Sequence, residues 1–137
     1  TGLVPREEVF RRVAAADVFV STSRGEGLPV AVLEAMGCGR PVILSDIPPH
    51  REIAADVDFI PLIDPDDVDG FAREIKRFQE MPATERAALG AKCRRLAQER
   101  YSLETMLENY EKVYAHVMRR ESIVVEASQA VNETNVR

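Results

Sequence analysis

Two glutamates, Glu26 and Glu34, flank a Gly-Leu-Pro-Val turn that leads into an apolar run. A helix starting near Pro29 leaves its first N–H groups free and turns the positive end of its dipole outward, which makes an anion site. The donors are the amides of Gly27, Leu28, Val30 and Ala31; Pro29 has no N–H, but its fixed φ suits a first helical position. Gly25 and Gly27 let the backbone approach a ligand closely. Glu34 lies about 7 Å along the helix from its start, at roughly 1.5 Å per residue. That spacing suits a diphosphate at the helix terminus and a ribose beside Glu34, whose carboxylate can accept both ribose hydroxyls. Glu26 sits toward the other end of the diphosphate. An acid there needs hydroxyls to face, and a sugar carried on the diphosphate supplies them.

The flanking residues read as the elements that position this turn. Pro5 opens a helix with Glu7 and Glu8 in its first turn and Val9, Phe10, Val13 and Ala14 on one face. Residues 17–21 form a short apolar strand expected to be buried, and residues 41–45 form a second. Between them runs the helix from Pro29 to about Met36, with Gly37 and Gly39 at its C-terminal end. Residues 46–52 are a loop entering a short helix, and residues 58–62 a third strand. Asp64 is expected to cap, and Pro65 to begin, a helix running to about Glu80. Further helices span about 82–100 and, capped by Ser102, about 103–120. Leu103, Met106, Leu107, Tyr110, Val113, Tyr114 and Val117 give the last one an apolar stripe suited to core or docking.

Strands alternating with helices imply an α/β fold: a partial Rossmann-like parallel sheet of about three strands with flanking helices. Residues 1–120 form the folded part and 121–137 a flexible tail. So few strands usually borrow a neighbour. With a first residue that is Thr1, not methionine, the expectation is a piece of something larger.

Composition narrows the function classes. The chain has 137 residues, with Lys and Arg totalling 18 against 23 Asp and Glu, for a net charge of -5. That balance argues against nucleic-acid binding and against an anionic membrane surface. No run of about 20 apolar residues is present, and no secretory leader pattern opens the chain. Cys38 and Cys93 are far apart and neither has a metal-ligand neighbour. Free thiols in a reducing compartment are expected, with no zinc site.

The string from Glu26 to Val42, E-G-L-P-V-A-V-L-E-A-M-G-C-G-R-P-V, resembles the E-x7-E signature of retaining GT-B glycosyltransferases, notably glycosyltransferase family 4, the glycosyl transferases group 1. The flanks 1–5, 14–20, 45–53, 64–67 and 101–114 are similar to that family as well, so the resemblance covers about residues 1–118. It implies the C-terminal part of the GT-B nucleotide-sugar-binding domain, in a parent that transfers a sugar from a nucleotide-diphosphate donor to an acceptor. Glu26 then matches the acid at the transferred sugar and is the catalytic candidate. Glu34 matches the ribose-binding acid. Gly27, Leu28, Pro29 and Val30 match the diphosphate turn, and Val4 the main-chain contact to the base. Such enzymes need no cofactor and no metal, the nucleotide sugar being substrate. A sugar, lipid or glycan acceptor would be held by an N-terminal domain absent from this chain. The family's basic pair for the leaving phosphate also precedes Thr1. The implied location is cytoplasmic, or peripheral at the inner membrane face in the parent.

Two alternatives stay open. A truncated donor half could act as a non-catalytic module in assembly or nucleotide sensing, self-associating through an exposed sheet edge. A GT-B relative that phosphorolyses a glycoside or epimerises a sugar nucleotide is the third option. Other residues read as structural. Asp64-Pro65-Asp66 has metal-motif spacing but is better explained by capping. Arg24 is expected to be a solvated turn residue, His50 and His116 surface residues, and Cys38 a small residue packed between helix and strand. Ser21 and Ser23 lack a nucleophile-elbow pattern.

Overall fold

The structure, a computed structural model, describes the backbone of residues 2–134 and the side chains of residues 2–119. The chain divides into two units, Thr1–Arg100 and Tyr101–Arg137.

In the first unit, β1 (Phe19–Ser21), β2 (Val42–Ser45) and β3 (Leu62–Ile63) form a parallel sheet in the order β1-β2-β3. The register pairs Val20 with Ile43 and Ser45 with Ile63. Helices α1 (Arg6–Ala15), α2 (Val30–Gly37), α3 (Pro48–Ile53), α4 (Val68–Glu80) and α5 (Ala83–Tyr101) flank it. This is the mixed α/β, Rossmann-like fragment the alternating pattern implies. Both crossovers step the same way along the sheet, so right-handed connections place α2 and α3 on one face. On the other, Ile43 and Ile63 pack with Phe71 and Phe78 of α4 and with Met81.

The central strand β2 is buried throughout, whereas β1 is half-buried. The expectation of a buried first strand is corrected for a simple reason: β1 is an edge of the sheet. The third strand also differs, beginning at Leu62 and not at Asp58. Pro61 has no N–H to extend a ladder and contributes only its carbonyl, which accepts from Leu44 N–H at 3.1 Å.

Helix α2 ends in a left-handed turn at Gly39 (φ 72°). Gly39 N–H donates to Met36 O at 2.8 Å and Arg40 N–H to Ala35 O at 3.0 Å, the paired bonds of a Schellman cap. Helix α4 is capped by Asp67, whose side chain accepts from Gly70 N–H at 2.8 Å. Asp64, the expected cap, instead closes an Asx turn by accepting from Asp66 N–H at 2.8 Å. Arg86 of α5 donates to Phe78 O at 3.1 Å and to Met81 O, and pairs with Asp17 at 3.2 Å, tying the α4–α5 turn to the start of β1.

The second unit is α6 (Leu103–Thr134), which starts with Thr105 N–H donating to the Ser102 hydroxyl at 3.1 Å. It continues past residue 120, where the sequence pattern had ended it. The stripe from Leu103 to Val117 is exposed, so it is not core here. The flexible tail expected over 121–137 falls on residues whose side chains, and from 135 whose backbone, lie outside the described set. No helix among the described residues is long and apolar enough to cross a membrane.

Candidate functional site

In an open parallel sheet, ligands meet the carboxyl ends of the strands. Here β1 ends at Ser21 and feeds the turn that carries Glu26 and then α2; β2 ends at Ser45. Glu26 and the Gly27–Pro29 turn therefore lie at that carboxyl edge, with Glu34 farther along α2. Glu26 is exposed, and its Oε1 accepts from the Ser23 hydroxyl at 2.7 Å. The Ser21 hydroxyl donates in turn to Ser23 Oγ at 3.4 Å. Glu34 is half-buried on α2, and its Oε1 lies 3.3 Å from Arg6 Nη2. Val4, two residues before Arg6 opens α1, is half-buried.

Gly27 and Leu28 are exposed, and Pro29 is buried as the residue that caps α2. The Pro29 carbonyl accepts from Val32 N–H at 3.0 Å and Leu33 N–H at 3.2 Å. Val30 departs from the expectation that its amide is free, because its N–H donates to Leu28 O at 2.8 Å. The cause is local: Pro29 at φ -78°, ψ 72° is the centre of an inverse γ-turn, which brings those two groups together. Among the described residues, none accepts from the N–H of Gly27, Leu28 or Ala31.

His50 is the largest departure. The Pro-Pro-His loop suggested a surface residue, yet His50 is 0% exposed, as is Ser45. His50 Nδ1 lies 2.9 Å from Ser45 O and 3.1 Å from Ser45 Oγ. A carbonyl only accepts, so Nδ1 carries the proton and the neutral ring is the Nδ1–H tautomer. The Ser45 hydroxyl donates onward to Ser23 O at 2.5 Å. Nε2 is buried with no partner among the described residues. The sequence held one usable signal, a serine closing a strand five residues before a histidine across a Pro-Pro turn.

Arg24 is exposed but paired, with Nη2 2.5 Å from Asp66 Oδ1. This hydrogen bond raises the Arg24 pKa and lowers that of Asp66, and it links the β1–α2 turn to the β3–α4 turn. Asp46, after β2, takes two bonds from Arg51 at 2.5 and 2.9 Å. Those bonds hold its carboxyl below the ordinary range. Cys38 is half-buried and Cys93 buried, both as free thiols. Burial pushes the Cys93 thiol up to about 11. Among the described residues, no three His, Cys, Asp or Glu side chains group as a metal site. A hollow of about 350 Å³ lined in part by Asp58, Phe59, Lys92 and Arg95 shares no residue with the acid pair.

A family model described as Glycosyl transferases group 1 matches residues 1–80. The chain is 39% identical over 74 residues to O-antigen chain mannosyltransferase B of Escherichia coli, covering 54% of this chain and 19% of that protein. It is 32% identical over 117 residues to EpsD of Bacillus subtilis (strain 168), which carries a glycosyltransferase name, covering 81% of this chain and 29% of that protein. Over 47 residues it is 45% identical to TuaC of the same organism, named as a glycosyltransferase of teichuronic acid biosynthesis, covering 34% of this chain and 12% of that protein. The chain thus spans less than a third of the length of each of these relatives.

Proposed function

We propose a reading that proceeds from one premise: this chain belongs to the glycosyl transferases group 1 family. On that basis it is the donor-binding part of a retaining, family 4 type transferase of GT-B architecture. Its parent moves a sugar from a nucleotide diphosphate to a sugar, lipid or glycan acceptor. The acceptor is held by chain outside these residues, and the reaction runs in the cytoplasm or at the inner face of its membrane.

The observation that carries this reading is that Glu26 lies in the turn between β1 and α2, and Glu34 a little over one turn into α2. The diphosphate sits against the Gly27, Leu28 and Ala31 amides, where the helix dipole favours negative charge. Fixed donors aimed at the departing diphosphate stabilise charge as it develops, without a metal. Glu34 takes the ribose hydroxyls, exchanging its Arg6 partner for them. Glu26, oriented by Ser23, takes hydroxyls of the transferred sugar. The Val4 main chain faces the base. The name of the Escherichia coli relative makes a mannosyl donor the first to try. No observation favours the non-catalytic module.

The test is titration of the full-length parent with UDP, GDP and ADP, followed by transfer assays with the corresponding nucleotide sugars. Losing the ribose bonds in Glu34→Ala weakens nucleoside diphosphate binding by about 3 kcal/mol, roughly 100-fold, since bonds to a charged group are worth about 1.5–3 kcal/mol each. Glu26→Gln retains that binding and loses transfer. A Glu34→Ala parent with unchanged nucleotide affinity refutes the reading.

A further inference from the structure

We propose that His50 is a positioning residue for Glu26, acting through Ser45 and Ser23, with its Nδ1–H tautomer directing the Ser45 hydroxyl onto the Ser23 carbonyl. The inference rests on the reading of Glu26 as the sugar-facing acid.

Glu26 needs something to hold it. It is exposed and lies between Gly25 and Gly27, and at neither glycine would an added Cβ meet any atom within 4 Å. Packing therefore does not fix the turn. Hydrogen bonds do, and every donor in the set points toward the acid. His50 Nδ1–H donates to both oxygens of Ser45, at 2.9 and 3.1 Å. The Ser45 hydroxyl, its own oxygen occupied by that N–H, donates to Ser23 O at 2.5 Å. The Ser23 hydroxyl receives from Ser21 at 3.4 Å and donates to Glu26 Oε1 at 2.7 Å. Ser23 is thus gripped from β2 at its carbonyl and from β1 at its hydroxyl, and it passes that reference to the carboxylate. The bonds form two short chains, His50–Ser45–Ser23 O and Ser21–Ser23–Glu26, joined through the Ser23 backbone, and within each chain aligned bonds polarise one another.

The other tautomer breaks this order. An unprotonated Nδ1 would face the Ser45 carbonyl with two lone pairs opposed. It would also draw the Ser45 proton to itself and away from Ser23 O. The ring is 0% exposed on α3, so it cannot turn to escape the conflict. Nε2 meanwhile has no partner among the described residues, so the polar work of the side chain lies on its Nδ1 side.

The experiment uses the full-length parent and whichever of GDP-mannose, UDP-glucose and ADP-glucose it turns over. His50→Leu and Ser23→Ala lower kcat about 10- to 100-fold while the Kd for the free nucleoside diphosphate stays within about twofold, as expected when an acid is misplaced at the reacting sugar. His50→Asn keeps an N–H near the Nδ1 position and restores kcat to within about fivefold of wild type. Should the buried-site variants not fold, Ser23→Ala carries the test with the 15N-histidine spectrum, because it removes one hydroxyl from a half-buried turn residue. Full activity in Ser23→Ala, an equal loss in asparagine and leucine variants, or nucleotide binding lost in parallel with kcat overturns the proposal. So does an Nε2–H tautomer in the 15N-histidine spectrum. Full transfer by Glu26→Gln refutes the donor-site reading itself. An inactive Glu26→Gln beside a fully active His50→Leu refutes the relay alone.

Discussion

A single methyl group at position 90 separates two forces of opposite sign. Gly90 lies inside α5, where glycine is about 1 kcal/mol worse than alanine in an open helix. Substitution there would normally stabilise. The Cβ of Gly90→Ala, however, would overlap the Gly39 carbonyl oxygen and come within 3.0 Å of its carbon, with Pro41 Cδ at 3.4 Å. The obstacle is backbone and cannot swing aside. Gly39 sits at φ 72° and is held by the two bonds that cap α2. Overpacking of this kind costs about 1–3 kcal/mol, and a rigid obstacle puts it at or above the upper end. Net of the helix gain, Gly90→Ala destabilises by about 2 kcal/mol, roughly an 8 °C fall in Tm for a chain of this size. Gly37→Ala is the internal control, since a Cβ there meets nothing within 4 Å and the residue is the last of α2. It leaves Tm unchanged or raises it. Paired thermal melts of the two variants decide the matter. If Gly90→Ala raises Tm as Gly37→Ala does, α5 does not rest on the Gly39 turn, and the packing that ends α2 is wrong.

Other consequences are simpler. In the Arg6–Glu34 pair the arginine is 79% exposed and the half-buried glutamate 31%, so Arg6→Ala shifts stability by less than about 1 kcal/mol and nucleoside diphosphate affinity by less than about fivefold. A loss beyond tenfold would place Arg6 on the phosphates. With its pKa near 11, Cys93 holds roughly one thiolate per thousand molecules at about pH 8, so a disulfide reagent labels Cys38 in the native chain and Cys93 only on unfolding. Native labelling of both thiols would contradict that burial. Asp46 has its folded pKa depressed below 3.8, chiefly by its hydrogen bond from Arg51, so its contribution is present above the unfolded value and is lost as pH falls through the folded one. Wild type therefore loses more Tm than Asp46→Asn between about pH 5 and pH 3, by a small, salt-sensitive margin because the pair is exposed. Equal losses would show that the pair adds nothing.

What the sequence made legible is what local pattern encodes. The β1 and β2 runs, the Pro29 helix start and the glycine at the end of α2 all declare themselves within a few residues. Misplaced features depend on partners far along the chain. Three aspartates follow β3, and which one caps α4 depends on where Ile63 leaves the sheet; Asp64 is used up in a turn before the helix begins. Arg6 and Glu34 meet across α1 and α2, a pairing no window of sequence displays. His50 looked solvated because Pro-Pro-His-Arg-Glu is a polar, turn-rich string. Only the fold shows that the end of β2 supplies a carbonyl and a hydroxyl to receive its N–H. The Val30 amide departs for a finer reason, since helix rules leave it free whereas ψ at Pro29 closes a γ-turn over it.

The two acids are held in different ways, and the difference suits the two tasks proposed for them. Glu34 is restrained by one ion pair to an exposed arginine, an interaction of the strength a ribose can replace without rearranging the fold. Glu26 is restrained through Ser23 to both β1 and β2, by bonds whose far end is a fully buried histidine. A group that must admit and release nucleotide benefits from an exchangeable partner. A group facing the sugar whose bond is breaking benefits from being fixed before substrate arrives, because reorganisation at that moment raises the barrier. Removing Glu34 itself should therefore appear chiefly in binding, and loosening the anchor of Glu26 chiefly in turnover. That split between KM and kcat separates a built donor site from two acids that merely lie on one turn and the helix it opens.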